Sequence, residues 1–332
     1  MPATRLRPAL GRIAFALLSA AVLLVFSEKL FWYVTGYGVF DLLAGYFFPA
    51  FVLLWVIDAF RVRRLAPLFL AAAVFGFVAE GMLTATLYEG GPLAWFSASW
   101  TPLAWHAPLS VVFGWWWLRR ELVAGRTRRL ALGGAAAGVL WGLWALAWWL
   151  PENAADPALL AAGARLGRWP AVDFALHAIA FTALLALAHW LIGRGGWRPA
   201  FRPSWPEAAL VAAGLLVFFG VTVLPVYPWA PLRLLALIGM AVAALYVNRR
   251  REPPGSLLAE LSGPVRTRSL SALAAMPVAA IAVYALAAAL NPPPDAIRAA
   301  TGYGIVLGSA GLGWLAFVAA LWQTVKRSQS QR

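Results

Sequence analysis

Glu80 and His106 stand on either side of a turn through Gly90, Gly91 and Pro92, each a few residues inside a long apolar run. A carboxylate beside an imidazole can pass a proton. Apolar surroundings raise a carboxyl group toward neutral pKa, where it can both give and take one. A second acid–imidazole set follows: Asp173 and His177 are four apart, so on a helix they share one face. Thr84 and Tyr88 continue the face of Glu80 at the same spacing. At about 1.5 Å of rise per residue, Glu80 and His177 lie roughly 10 Å inside their runs, His106 roughly 7 Å and Asp173 roughly 5 Å.

All four groups belong to the same end of their runs. The reading is therefore that Glu80, His106, Asp173 and His177 meet in one cavity as catalytic groups. Thr84, Tyr88, Glu89 and Trp105 would then contact the substrate. Two histidines with one or two carboxylates also suit a divalent metal. No HExxH or HxxEH sequence occurs, so no motif supports that cofactor. Plainer roles compete. Asp173 near a helix start suits the helix dipole, and either histidine suits an interhelical hydrogen bond. Glu80 is hardest to explain structurally, being mid-run with no basic neighbour on its own helix.

The elements that position these groups follow from composition. The chain has 332 residues, 62% hydrophobic and 12% charged, with 19 tryptophans and no cysteine. Soluble domains carry about 25% charged residues. Apolar runs of about twenty residues recur throughout, continuous rather than alternating, which selects helices over a barrel. The expected fold is an all-α polytopic membrane bundle, one transmembrane domain over 1–332. Ten spans fall at about 10–27, 38–60, 65–87, 102–118, 130–150, 170–192, 206–227, 231–248, 271–290 and 299–325. Arg5, Arg7 and Arg12 before the first run resemble a signal peptide, but no small-residue cleavage site follows, so it reads as an uncleaved span. Ser204 and Glu207 have capping-box spacing. Short surface helices are expected near 156–165 and 255–263.

Charge sets the orientation. With both termini in the cytoplasm, 22 of the 27 Lys and Arg residues fall in cytoplasmic segments, as the positive-inside rule requires. The net charge of +14 is thereby explained by topology and anionic lipid, which argues against a nucleic-acid partner. The arginine-rich, alanine-rich composition points to a bacterial cytoplasmic membrane. No cysteine means no disulfide and no thiol nucleophile. Trp141, Trp144 and Trp148 form a stripe that reads as packing or lipid contact rather than a ligand wall.

The titratable groups sit in the spans of 10–192, while the spans of 206–325 read as apolar scaffold. One loaded half and one inert half favour an enzyme acting on a lipid or isoprenoid at the outer leaflet. Transporters built of two repeats usually place their groups where the halves meet. A proton-coupled permease and a structural or assembly protein remain as alternatives. The expected partners are the bilayer in each case and, for the enzyme, a hydrophobic or lipid-like small molecule. The segment between Glu80 and His106, rich in Trp and Gly with Glu89 as its one charge, is expected to fold back as a partly buried lid.

Overall fold

An apolar run deprived of water must hydrogen-bond its own backbone, and a helix does this within one segment. The computed structural model describes residues 3–31, 38–149, 170–195, 200–290 and 294–326, and shows helices and no strand among them. Nine of the described helices are long and apolar enough to cross a membrane. These are α1 (Ala3–Leu24, widened over Val25–Lys29), α2 (Val39–Ala59), α3 (Leu65–Val78, widened over Ala79–Leu83) and α5 (Thr127–Trp148). They continue with α6 (Ala171–Arg194), α7 (Trp205–Val223), α8 (Ala230–Arg251), α9 (Thr267–Leu290) and α10 (Ala299–Lys326). The remaining expected span is the helix α4, Pro102–Trp117 continued by Leu118–Val123. Its histidine, prolines and tryptophans make it less apolar than the others. It tolerates them because it packs inside the bundle, against α3, α1 and α10.

The middle of the bundle is α3, whose span is 78% buried, while α7 and α10 are only 22% buried. The outward faces of the peripheral helices are apolar, with Leu210, Val221, Leu232, Leu286 and Leu315 exposed. Such faces suit embedding in a lipid bilayer. Close crossings depend on glycine. A Cβ at Gly138 of α5 would lie 2.1 Å from the Met276 carbonyl of α9, and one at Gly142 would lie 2.6 Å from that of Ala280.

The described connecting segments sort onto two faces as the alternation of spans requires. On one face Arg12 of α1 donates to Glu207 of α7 (2.9 and 2.5 Å), Asn248 of α8 to the Phe60 carbonyl (2.9 Å) and Arg251 to the Val325 carbonyl (3.3 Å). On the other, Trp148 of α5 donates to Thr301 (3.1 Å) and Trp314 of α10 to the Trp95 carbonyl (2.8 Å). The start of α1 and the end of α10 therefore share the arginine-rich face. The capping box at the start of α7 is formed, with the Ser204 amide donating to Glu207 at 2.7 Å. A short helix at Leu258–Leu261 lies within the expected 255–263 segment; the segment near 156–165 falls outside the described residues. Asp58, three residues before Arg61, accepts from Ser256 (3.0 Å) and lies 3.7 Å from Arg202. Arg61 has turned away to the Glu252 carbonyl (2.7 Å).

Candidate functional site: a buried carboxylate–imidazole pair

α3 and α4 are antiparallel neighbours, and their separation is set by Gly76. A Cβ there would meet the Pro102 carbonyl at 2.6 Å. The start of α4 is thus level with Gly76, roughly 10 Å below the end of α3 at Leu83. Helix side chains lean toward their own N-terminus. Glu80 therefore leans inward from α3, and His106 leans outward from α4. The two meet: His106 Nε2 is hydrogen-bonded to Glu80 Oε1, with the residues only 2% and 7% exposed.

The other atoms of the pair are held as well. Thr84 (3.2 Å) and Thr86 donate their hydroxyls to Glu80 Oε2. His106 Nδ1 lies 3.0 Å from Ser27 Oγ of α1, and Ser27 donates to Ser110 of α4 (2.9 Å). His106, Ser110 and Gly114 recur every fourth residue on one face of α4, and Phe26 sits where a Gly114 side chain would be (2.2 Å). That small-residue face brings α1 close enough for Ser27 to reach the imidazole. Glu28, next along α1, accepts from Tyr46 of α2 (2.7 Å).

The helices are locally widened at each of these positions. Bonds spanning five residues join Leu30 N to Val25 O (2.8 Å), Thr84 N to Ala79 O (3.2 Å) and His106 N to Thr101 O (2.8 Å). Glu28, Glu80 and His106 all lie in such π-helical stretches, which in other proteins concentrate at functional sites.

Above the pair lies a cavity of about 530 Å³. Glu28, Glu80, His106, Thr84 and Thr86 form its polar floor, with Glu89 at the rim. Phe31, Phe96, Trp100 and Trp105 form its wall. Every described lining residue comes from positions 27–106. Glu89 is held above the usual carboxylate range, first by burial and then by the charge of Glu80.

The segment after α3 closes over this cavity. Ser97, Ala98 and Ser99 are buried, and Ser99 donates to the Ala310 carbonyl of α10 (2.6 Å). Arg233 of α8 donates to the carbonyls of Gly91 (2.8 Å) and Ala94, and Trp314 to that of Trp95. Gly90 and Gly91, at φ of +78° and +96°, make the turn at its outer end. A cysteine at Ala98, in this cysteine-free chain, is expected to resist a water-soluble maleimide in intact membranes. Adding Arg233→Ala should raise its labelling rate about tenfold or more, since guanidinium bonds to carbonyls are among the stronger ones in proteins. Equal labelling in both backgrounds would show that Arg233 does not hold the lid.

The expected convergence of four groups is corrected here. The structure joins Glu80 to His106 but places His177 elsewhere. His177 Nε2 lies 2.9 Å from the Lys29 carbonyl, among the rings of Trp141, Trp149 and Phe181. Asp173, one turn earlier on α6, does not line the cavity either. The reason is the order of the helices. α6 packs on α1 and α9, and the outer end of α1 lies between α6 and α4. One flank of that end offers Ser27 and Glu28 to the cavity; the other offers a carbonyl to His177. Thr84, Glu89 and Trp105 line the cavity, whereas Tyr88 donates to the Gly81 carbonyl (2.8 Å) and packs on Tyr227 and Trp229. Trp141 and Trp144 are buried packing residues, Trp144 donating to the Phe31 carbonyl (2.9 Å).

Glu28 and Thr86 are the residues that sequence reasoning missed. Glu28 directly precedes Lys29 at the end of an apolar run, a pattern shared by any span that reaches the surface. Among the described residues no group of three or more His, Asp or Glu is placed to hold a metal ion. Comparison with protein-family models, curated proteins and solved structures finds no match. Fold and site together define a class, a multi-pass helical membrane protein with a carboxylate–imidazole pair under an aromatic-walled cavity.

Proposed function

We propose that the Glu80–His106 pair is an acid–base centre, and that the protein is a membrane-embedded enzyme acting on a hydrophobic substrate from the outer leaflet. The observation that carries this reading is the hydrogen-bond chain on the imidazole. With the Ser27 hydroxyl donated to Ser110, Ser27 accepts from His106 Nδ1–H, and this is the tautomer the reading uses. One proton then remains between Nε2 and Glu80, and moving it converts a neutral pair into an ion pair. A centre poised between two such states gives or takes a proton at the cavity floor. The lid supports the reading by limiting water above it.

The positive-inside distribution supports placing both termini in the cytoplasm and the cavity at the outer face of a bacterial inner membrane. A second reading, a proton-coupled permease, draws on the same chain, because Ser27 and Ser110 continue the hydrogen bonds inward from Glu80. Lipid and metabolite profiles of a deletion strain, complemented with wild type or Glu80→Gln, separate the readings. The enzyme requires one lipid-like species to accumulate and its product to vanish in both the deletion and the Gln strain. A solute profile that changes only with the proton gradient supports the permease. Unchanged profiles remove both.

A further inference from the structure

Among the described residues, the cavity lining holds three carboxylates, Glu28, Glu80 and Glu89, and no lysine or arginine. The nearby cations are turned to other tasks. Lys29 Nζ sits over the Phe181 ring of α6, 5.5 Å from its centre, and Arg233 is bonded to lid carbonyls. The wall is a continuous aromatic surface: Phe31 stands edge-on to Trp105 at 4.5 Å, and Trp100 lies 5.8 Å from Phe31 and 6.3 Å from Phe96. Aromatic faces carry negative quadrupole charge and attract cations, ammonium groups included. The carboxylates and the aromatic wall are independent features, and both favour the same sign of guest. A phosphate or carboxylate head would meet the carboxylates of Glu28 and Glu89 with no lysine or arginine among the described lining residues, which is a ground for exclusion. A volume of about 530 Å³ is in the range of small-molecule sites, which run to roughly 300–1,000 Å³.

We infer that the cavity takes an amphiphilic organic cation, with an ammonium head held by Glu28 and Glu89 beside the Glu80–His106 pair and an apolar body laid along Phe31, Phe96, Trp100 and Trp105. This rests on reading the cavity as the acid–base site, and it narrows the substrate to amine-headed molecules. Phosphorylated isoprenoids, a natural guess for a membrane enzyme, are excluded by the same field.

The test is binding to the full chain in neutral-lipid nanodiscs, using three probes with one tail: hexyltrimethylammonium, hexyl phosphate and hexanol. Saturable binding of the ammonium is expected, with both other probes at least about tenfold weaker. Glu28→Gln keeps an acceptor for Tyr46, and Glu89→Gln lies at the rim away from packing. Each should weaken the ammonium about tenfold and leave hexanol unchanged. Hexyl phosphate binding as well as the ammonium would overturn the inference. So would no saturable ammonium binding, or affinity unmoved in both Gln variants. The complementation assay keeps the two readings apart. If Glu80→Gln fails to complement but no cation preference appears, the substrate class falls and the acid–base site stands. If Glu80→Gln complements fully, the site itself falls.

Discussion

Glu80→Gln and His106→Gln should each reduce turnover by about 10²- to 10⁴-fold, the usual contribution of a positioned proton donor or acceptor. Neither change should lower the amount of protein in the membrane. A glutamine at Glu80 keeps acceptors for Thr84 and Thr86, and one at His106 keeps a donor toward Ser27, so packing is retained while the movable proton is lost. Two controls make the comparison informative. Asp173→Asn should leave turnover within about twofold, because Asp173 does not line the cavity. His177→Ala should cost stability through lost packing against Trp141, Trp149 and Phe181, with turnover per folded molecule retained. The measurement is the rate of product formation, or of complementation, normalised to folded protein. Full activity in Glu80→Gln would end the acid–base reading. Loss in His177→Ala at normal abundance would restore the second histidine to the site.

The largest loss of stability is expected at Arg119. This guanidinium is only 2% exposed, and among the described residues its hydrogen bonds go to carbonyls rather than to a carboxylate. It donates to three carbonyls, those of Leu261 (2.8 Å), His189 (2.5 Å) and Gly263 (2.6 Å). It thus ties α4 to α6 and to the segment between α8 and α9. Met at this position fills similar volume but strands two buried acceptors and one partly buried one. A stranded buried acceptor costs about 1–3 kcal/mol, so Arg119→Met should lose about 3 kcal/mol or more. Thermal unfolding of the purified protein reads this directly. Arg120→Met, which removes only an exposed cation lying 5.5 Å from the Trp116 ring, should change stability by less than about 1 kcal/mol. Equal melting of the two variants would show that water replaces the guanidinium at no cost.

Arg119 also shows where the sequence stopped being legible. Charge counting takes it as one of the 22 cationic residues in cytoplasmic segments and no more; counting gives the side of the membrane, not the burial of an individual residue. The spans themselves were legible because hydrophobic length is a one-dimensional property. Their alternation was too, since Arg12, Arg64, Asn248 and Arg251 do meet across one face. Glu80 and His106 were found because a titratable group in an apolar run stands out, and because a short connection makes neighbours of consecutive helices. His177 was placed wrongly because depth says nothing of lateral order, and α1 stood in between. The inward start of α4 was hidden for a related reason. Nothing local in Ser97-Ala98-Ser99 reveals that the chain has already entered the bundle; Gly76 and Gly313, from other helices, make that room.

The widened turns carry a consequence for how such a site can arise and be lost. An α-helix advances about 100° per residue, so one residue accommodated as an extra unit in a turn rotates everything beyond it by about that angle. Glu80 sits inside such a turn in α3, and Glu28 in another at the end of α1. Removing one residue from either stretch would leave a shorter, regular helix of nearly the same hydrophobic length, still able to cross the bilayer. It would also swing the acidic side chain about a quarter-turn away from the cavity. Membrane insertion and chemistry are therefore written at different resolutions in these helices. The first tolerates a change of one residue, and the second is set by the phase that residue imposes.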